Sequence, residues 1–233
     1  AEAPFDLEIE VDRGNATYTH PLPKETLEDF LSDGFKGWGE SQNPSNSPVY
    51  SEISANPSAT VLIKSQGQIL GEVNWGELKQ IRNKKVGKAL LSFPEEGRNW
   101  VKVEVVDRDD NLLPCRIHFR SPEGIPYQPY GHHNHVNSNL GTFNFDIGAD
   151  VRMGQISYAY IDGKCEGWLP RGDVIVDIAR GFEYLPQRIK VNIAPDQQNL
   201  KFVLDRWINM NDLGWYSGDA HVHFFSRSEE RRV

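Results

Sequence analysis

From Trp100 onward the chain repeats one pattern: short stretches of alternating apolar and polar residues, cut by clusters of Gly, Pro, Asp and Asn. Val101, Val103 and Val105 alternate with Lys102 and Glu104. The turn Asp107-Arg108-Asp109-Asp110-Asn111 follows, and then Cys115, Ile117 and Phe119 alternate with Arg116 and His118. Residues 156–161, 173–180, 187–193 and 199–205 are further strand candidates, separated by Gly163, Pro170-Arg171-Gly172, Gly181 and Pro195-Asp196. Period two places alternate side chains on opposite faces, as a half-buried strand requires. No helical pattern interrupts the series. Short strands at this spacing predict an antiparallel β-sandwich. Its expected inward positions are Val101, Val103, Val105, Ile117, Val174, Val176, Ile178, Val191 and Val203.

The first 97 residues read as a smaller β-rich region. Leu7, Ile9 and Val11 alternate with acidic residues on one strand, and residues 24–32 have the spacing of a short helix. Residues 34–58 are rich in Gly, Pro, Ser and Asn and read as a long loop. Residues 59–64 and 68–74 are strands around Ser65-Gln66-Gly67, and 88–93 is another, whereas 77–85 fits either state. Pro94-Glu95-Glu96-Gly97 is a strong turn and marks the first boundary. The expected organisation is mainly β: a β-rich region over 1–97, a sandwich over 98–207, and a linker with one strand over 208–233.

Charge and composition exclude several functions. The 233 residues carry a net charge of −8, which repels phosphate and argues against a nucleic-acid partner. The imbalance lies in residues 1–60, with 11 acidic and 3 basic residues, while the rest of the chain balances. That segment reads as a solvated acidic face, or as a weak surface for cations or a partner. No run approaches the ~18 apolar residues of a transmembrane helix. The opening Ala-Glu-Ala-Pro resembles a mature or trimmed terminus and suggests an extracellular or periplasmic location.

Two cysteines are too few for a disulfide scaffold or a four-cysteine zinc site. In an exported chain Cys115 and Cys165 could pair; otherwise they are small buried hydrophobes. Trp168, Trp207 and Trp215 are candidates for a sugar-stacking platform, or for core and interface anchors. Neither a Walker-type phosphate loop nor a Gly-x-Ser-x-Gly elbow is present.

Two histidine clusters carry possible metal chemistry. Tyr130-Gly131-His132-His133-Asn134-His135 places His132, His133 and His135 within four residues of a loop. They could ligate a transition metal, line a substrate rim, or bond only to backbone and water. The second cluster is Asp219-Ala220-His221-Val222-His223 within Gly214–Phe224. On a strand, its carboxylate and two imidazoles share one face. Two imidazoles two residues apart can hold one divalent ion, with the carboxylate beside them.

The sandwich segment resembles a known architecture. Leu169-Pro170-x-Gly172-x-Val174-x-Val176 and Arg180-Gly181-Phe182-Glu183-Tyr184 look like the carboxypeptidase-regulatory or prealbumin-like β-sandwich, over about residues 99–206. Gly214-Trp215-Tyr216-Ser217-Gly218-Asp219-Ala220-His221-Val222-His223 resembles the first strand of the polymerase-and-histidinol-phosphatase (PHP) metallohydrolases, in particular the CehA/McbA-like branch. In that branch a sandwich module precedes this motif. The resemblance implies His221 and His223 as metal ligands and Asp219 as an accessory ligand, with Zn, Mn or Fe as the divalent metal. It also implies a catalytic barrel with further His, Asp and Glu ligands, which residues 224–233 do not supply. The expected function is therefore a non-catalytic accessory region of a PHP-type hydrolase, binding metal weakly and partnered by the catalytic domain or a second copy. The alternatives are a stand-alone extracellular sandwich that binds carbohydrate or protein, and a metal-sequestering protein.

Overall fold

The computed structural model describes residues 7–22, 31, 48–93, 97–132, 150–153 and 156–218. Strand β1 (Leu7–Val11) runs antiparallel to β4 (Thr60–Ser65), which turns back into β5 (Gln68–Asn74). The turn residues Gln66 and Gly67 have φ of 51° and 71°. Both positive values suit a two-residue hairpin, whose twist then matches that of the flanking strands. The Asn74 side chain accepts from the Glu77 N–H at 3.0 Å and caps helix α1 (Trp75–Ile81). A hairpin of β6 (Asn83–Val86) and β7 (Ala89–Ser92) follows. The segment 77–85 is thus divided between helix and strand, with Arg82 at φ 64° as the hinge. Ala59, Val61, Ile63, Val73, Trp75, Leu78 and Val86 form the core here.

Within residues 34–58 the loop expectation fails at its C-terminal end. Val49–Ala55 is a strand, β3, antiparallel to β2 (Gly14–Pro21). Window composition obscured a local Val-Tyr-Ser-Glu-Ile alternation of good strand formers. This two-stranded ribbon spans both cores. Tyr50, with Leu22 just past β2, packs into the sandwich core, while Ile53 and Ala55 pack on the smaller one. The expected helix over 24–32 lies outside the described residues except at Leu31.

The remaining strands form two facing sheets. One has the order β11 (Asp150–Met153), β12 (Ile156–Ile161), β9 (Cys115–Arg120), β14 (Gly172–Ala179), β15 (Gln187–Ile193), with β10 (Pro126–Tyr127) also on β9. All its pairings are antiparallel. The other has β8 (Arg98–Val106) between β13 (Lys164–Pro170) and β16 (Asn199–Val203). Here β8 and β13 are antiparallel, but β8 and β16 are parallel, so the sandwich carries one pair that the sequence pattern did not indicate.

Val101, Val103 and Val105 from one sheet meet Ile117, Phe119, Val174, Val176 and Ile178 from the other in a single core. Val191 packs against this core but is only half-buried, and Val203 is 44 % exposed, which corrects one expected inward position. On β16 the inward phase is Leu200 and Phe202, continued by Leu204, because Lys201 shares Val203's face and keeps it in water. Strand β13 is hidden in the sequence pattern, where Gly167 and Pro170 look like punctuation. Gly167 is there for close approach, since a Cβ would sit 3.3 Å from the Gln128 carbonyl oxygen. Among the described residues no helix is long and apolar enough to cross a membrane.

Candidate functional site

Among the described residues a concavity lies where the β2–β3 ribbon meets the sandwich. It is a cleft of about 250 Å³ lined by Glu52 of β3, Arg98 and Trp100 of β8, Gly167 and Trp168 of β13, and the 126–132 segment. Trp100 and Trp168 are direct cross-strand partners. Their rings are 5.4 Å apart at 77°, and Tyr130 stands 5.7 Å from Trp100 at 61°. Glu166 fixes the group from two sides. Its Oε2 accepts from the Trp100 indole N–H at 3.1 Å, and its carbonyl accepts from the Tyr130 N–H at 2.8 Å. The Arg98 guanidinium lies 5.2 Å from the Tyr127 ring centre.

His132 lines this cleft, half-buried, with its N–H donating to the Pro129 carbonyl at 3.1 Å. The other metal candidates, His133, His135, Asp219, His221 and His223, lie outside the described residues. Among the described residues no three His, Cys, Asp or Glu side chains converge as a metal site. The candidate platform of Trp168, Trp207 and Trp215 is not assembled. Trp168 sits beside the start of β8, whereas the chain reaches Trp207 only after running past the end of β8 on β16. Trp168 joins Trp100 and Tyr130 instead. Strand alternation carried a usable signal: Trp100 is in phase with Lys102 and Glu104, so its ring leaves the core.

The exit from the sandwich is pinned by Glu183. Its carboxylate accepts from Arg206 (2.9 Å at Nε, and again at Nη2) and from the Met210 N–H at 3.2 Å. The bond from Arg206 holds the Glu183 carboxyl below its ordinary range. Asp205 is lowered in the same way by the Arg108 side chain at 2.7 Å. The Trp207 N–H donates to the Glu183 carbonyl, and its indole N–H to the Phe182 carbonyl at 2.8 Å. Phe182 is 97 % exposed, and Trp207, Leu213, Trp215 and Tyr216 are all more than half exposed.

A buried ionic cluster occupies the other face of the larger sheet. Asp177 has no exposed surface and accepts from Arg120 Nη2 at 2.6 Å and Arg188 Nε at 2.8 Å. His118 is its cross-strand partner, and the His118 ring is 5.5 Å from that of Tyr158. Burial, with the Asp177 charge adding to it, pushes the Tyr158 phenol up to about 12. It therefore stays protonated at neutral pH and offers no base. Burial lowers Arg120, and Asp177 opposes that shift. Cys115 and Cys165 are free thiols, each pushed up to about 12 by burial, so neither is a ready nucleophile.

No protein-family model matches the chain, and neither a curated protein nor a solved structure matches it.

Proposed function

We propose that this chain is the non-catalytic accessory region of a PHP-type metal-dependent hydrolase, a prealbumin-like sandwich that seats a catalytic domain opening with the Asp219-Ala220-His221-Val222-His223 motif. The observation that carries this reading is the exposed aromatic surface at the sandwich exit. Phe182, Trp207, Leu213, Trp215 and Tyr216 present apolar area to water in a segment that hydrogen bonds hold in place. Large apolar side chains left exposed at this density, with Trp207 tied to Phe182, mark a surface suited to cover. It immediately precedes the motif, so the domain the motif would open lies nearest to it.

Two imidazoles and a carboxylate suit a divalent metal in donor chemistry but do not close a catalytic site. In a complete enzyme the metal would supply an activated water for attack on a phosphoester, ester, amide or carbamate bond. The residues of this chain would contribute His221 and His223 as ligands, Asp219 beside them, and the seat. The test is the coding frame beyond Val233, together with hydrolysis assays. A continuing frame that supplies further His, Asp and Glu ligands supports the reading, as does negligible turnover by residues 1–233 on phosphoester and ester panels with Zn²⁺ or Mn²⁺. A stop codon at that point, or turnover by this chain abolished by His221→Ala, defeats it.

A further inference from the structure

The cleft at the ribbon–sandwich junction has a composition and a rigidity that the accessory role does not explain. Trp168 is 54 % exposed and Tyr130 is 78 % exposed, yet both rings pack on Trp100, which Glu166 locks through its indole N–H. Holding large aromatic faces in water and in fixed orientation is costly unless something covers them. Fixing them in advance lowers the ordering cost of binding. The rest of the wall is mixed: Pro126, Tyr127 and Pro129 are apolar, while Arg98, Glu52, Gln128 and His132 bring polar groups. Arg98 and Glu52 bring one charge of each sign, so the cleft does not select a strongly charged ligand.

We infer that this cleft is a binding site for a neutral carbohydrate chain, with one sugar ring stacked on Trp168 and its hydroxyls facing Arg98, Glu52 and His132. A pyranose offers an apolar C–H face and a polar rim, which is the combination the cleft presents. The competing occupant of an aromatic group is a quaternary ammonium ion, which needs ring faces arranged around an open centre. Here Trp168 and Tyr130 each meet Trp100 edge to face, at 77° and 61° with centroids 5.4 and 5.7 Å away, so neither ring stands off from Trp100 by the width of a cation, and the exposed Trp168 face is left for stacking. A volume of about 250 Å³ falls below the roughly 300–1,000 Å³ of drug-sized pockets and suits a single ring with open ends.

The experiment titrates the protein with neutral gluco-, xylo-, manno- and galacto-oligosaccharides, read by calorimetry and tryptophan emission. At least one series should bind saturably. Trp168→Ala should weaken that binding about tenfold or more, as should Tyr130→Ala. Tyr160→Ala, an exposed ring on β12 of the other sheet, should bind like the wild type. Both cleft side chains are exposed, so the variants should keep the wild-type circular dichroism; if one does not, the other decides. Absence of saturable binding across all four series overturns the inference. So does unchanged binding in both cleft variants, or a preference for choline or betaine over every oligosaccharide. These readouts need neither metal nor a downstream domain, so their failure is distinct from that of the accessory-region reading.

Discussion

Among the described residues Asp177 is the most deeply buried polar side chain. It has no exposed surface and holds two guanidiniums, Arg120 at 2.6 Å and Arg188 at 2.8 Å. Removing one partner of a buried ion pair leaves the others desolvated and uncompensated, at a cost of about 3–5 kcal/mol. Asp177→Ala should therefore lose stability in that range by urea unfolding. Asp173→Ala, on the same strand but paired with Lys190 at the surface, should change it by under about 1 kcal/mol. Equal losses in the two variants would show that the cluster is not what holds the outer face. Sequence alternation reveals that Asp177, His118 and Arg120 point away from the core, but it cannot reveal that this second face is buried as well. The histidine motif makes a separate residue-scale prediction. Calorimetric titration with Zn²⁺ should detect weak binding that His221→Ala/His223→Ala removes; equal binding by both proteins would take the C-terminal motif out of the metal account.

At the scale of elements, strands with clean alternation were legible, and one whose alternation is broken by both Gly and Pro was not. Arg98–Val106, Cys115–Arg120 and Gly172–Ala179 followed from their valines and isoleucines, while Lys164–Pro170 hid behind Gly167 and Pro170. The cleft was lost with that strand, because Trp168 has meaning only once it is paired with Trp100. The phase of β16 gives a direct test. Phe202 is 6 % exposed and Phe202→Ala should cost about 3–5 kcal/mol, whereas Val203→Ala should stay within about 0.5 kcal/mol. The reverse order would mean that the strand is turned over.

The exit segment has its own pH dependence. Glu183 and Asp205 are both held below their ordinary range by hydrogen bonds from Arg206 and Arg108. A carboxyl lowered in the docked state stabilises it fully above the ordinary value and stops doing so as pH falls through the lowered one. Residues 205–210 should therefore release in acid, below about pH 4. The Trp207 indole N–H resonance should shift there before the sandwich unfolds, and Glu183→Gln should remove most of that early step. A Trp207 signal that moves only with global unfolding would refute local release.

Across the whole molecule, both cores are complete before the exit segment begins. The smaller is built from residues 7–93, and the sandwich core ends at Leu204. The β2–β3 ribbon ties them together through Leu22 and Tyr50 at one end and Ile53 and Ala55 at the other. From Trp207 to Tyr216 the large apolar side chains at 207, 213, 215 and 216 are exposed and contribute no core burial. Deleting residues 217–233 should accordingly leave the urea midpoint and its cooperativity unchanged. It should also lower any self-association seen by light scattering, because it removes the apolar Val222, Phe224 and Phe225 that follow the exposed aromatic residues in the sequence. Replacing Trp207 and Trp215 together with Ser should lower association further by removing exposed aromatic area. If the deletion instead unfolds residues 98–207, the tail belongs to the sandwich, and its motif cannot be the start of a separate catalytic domain.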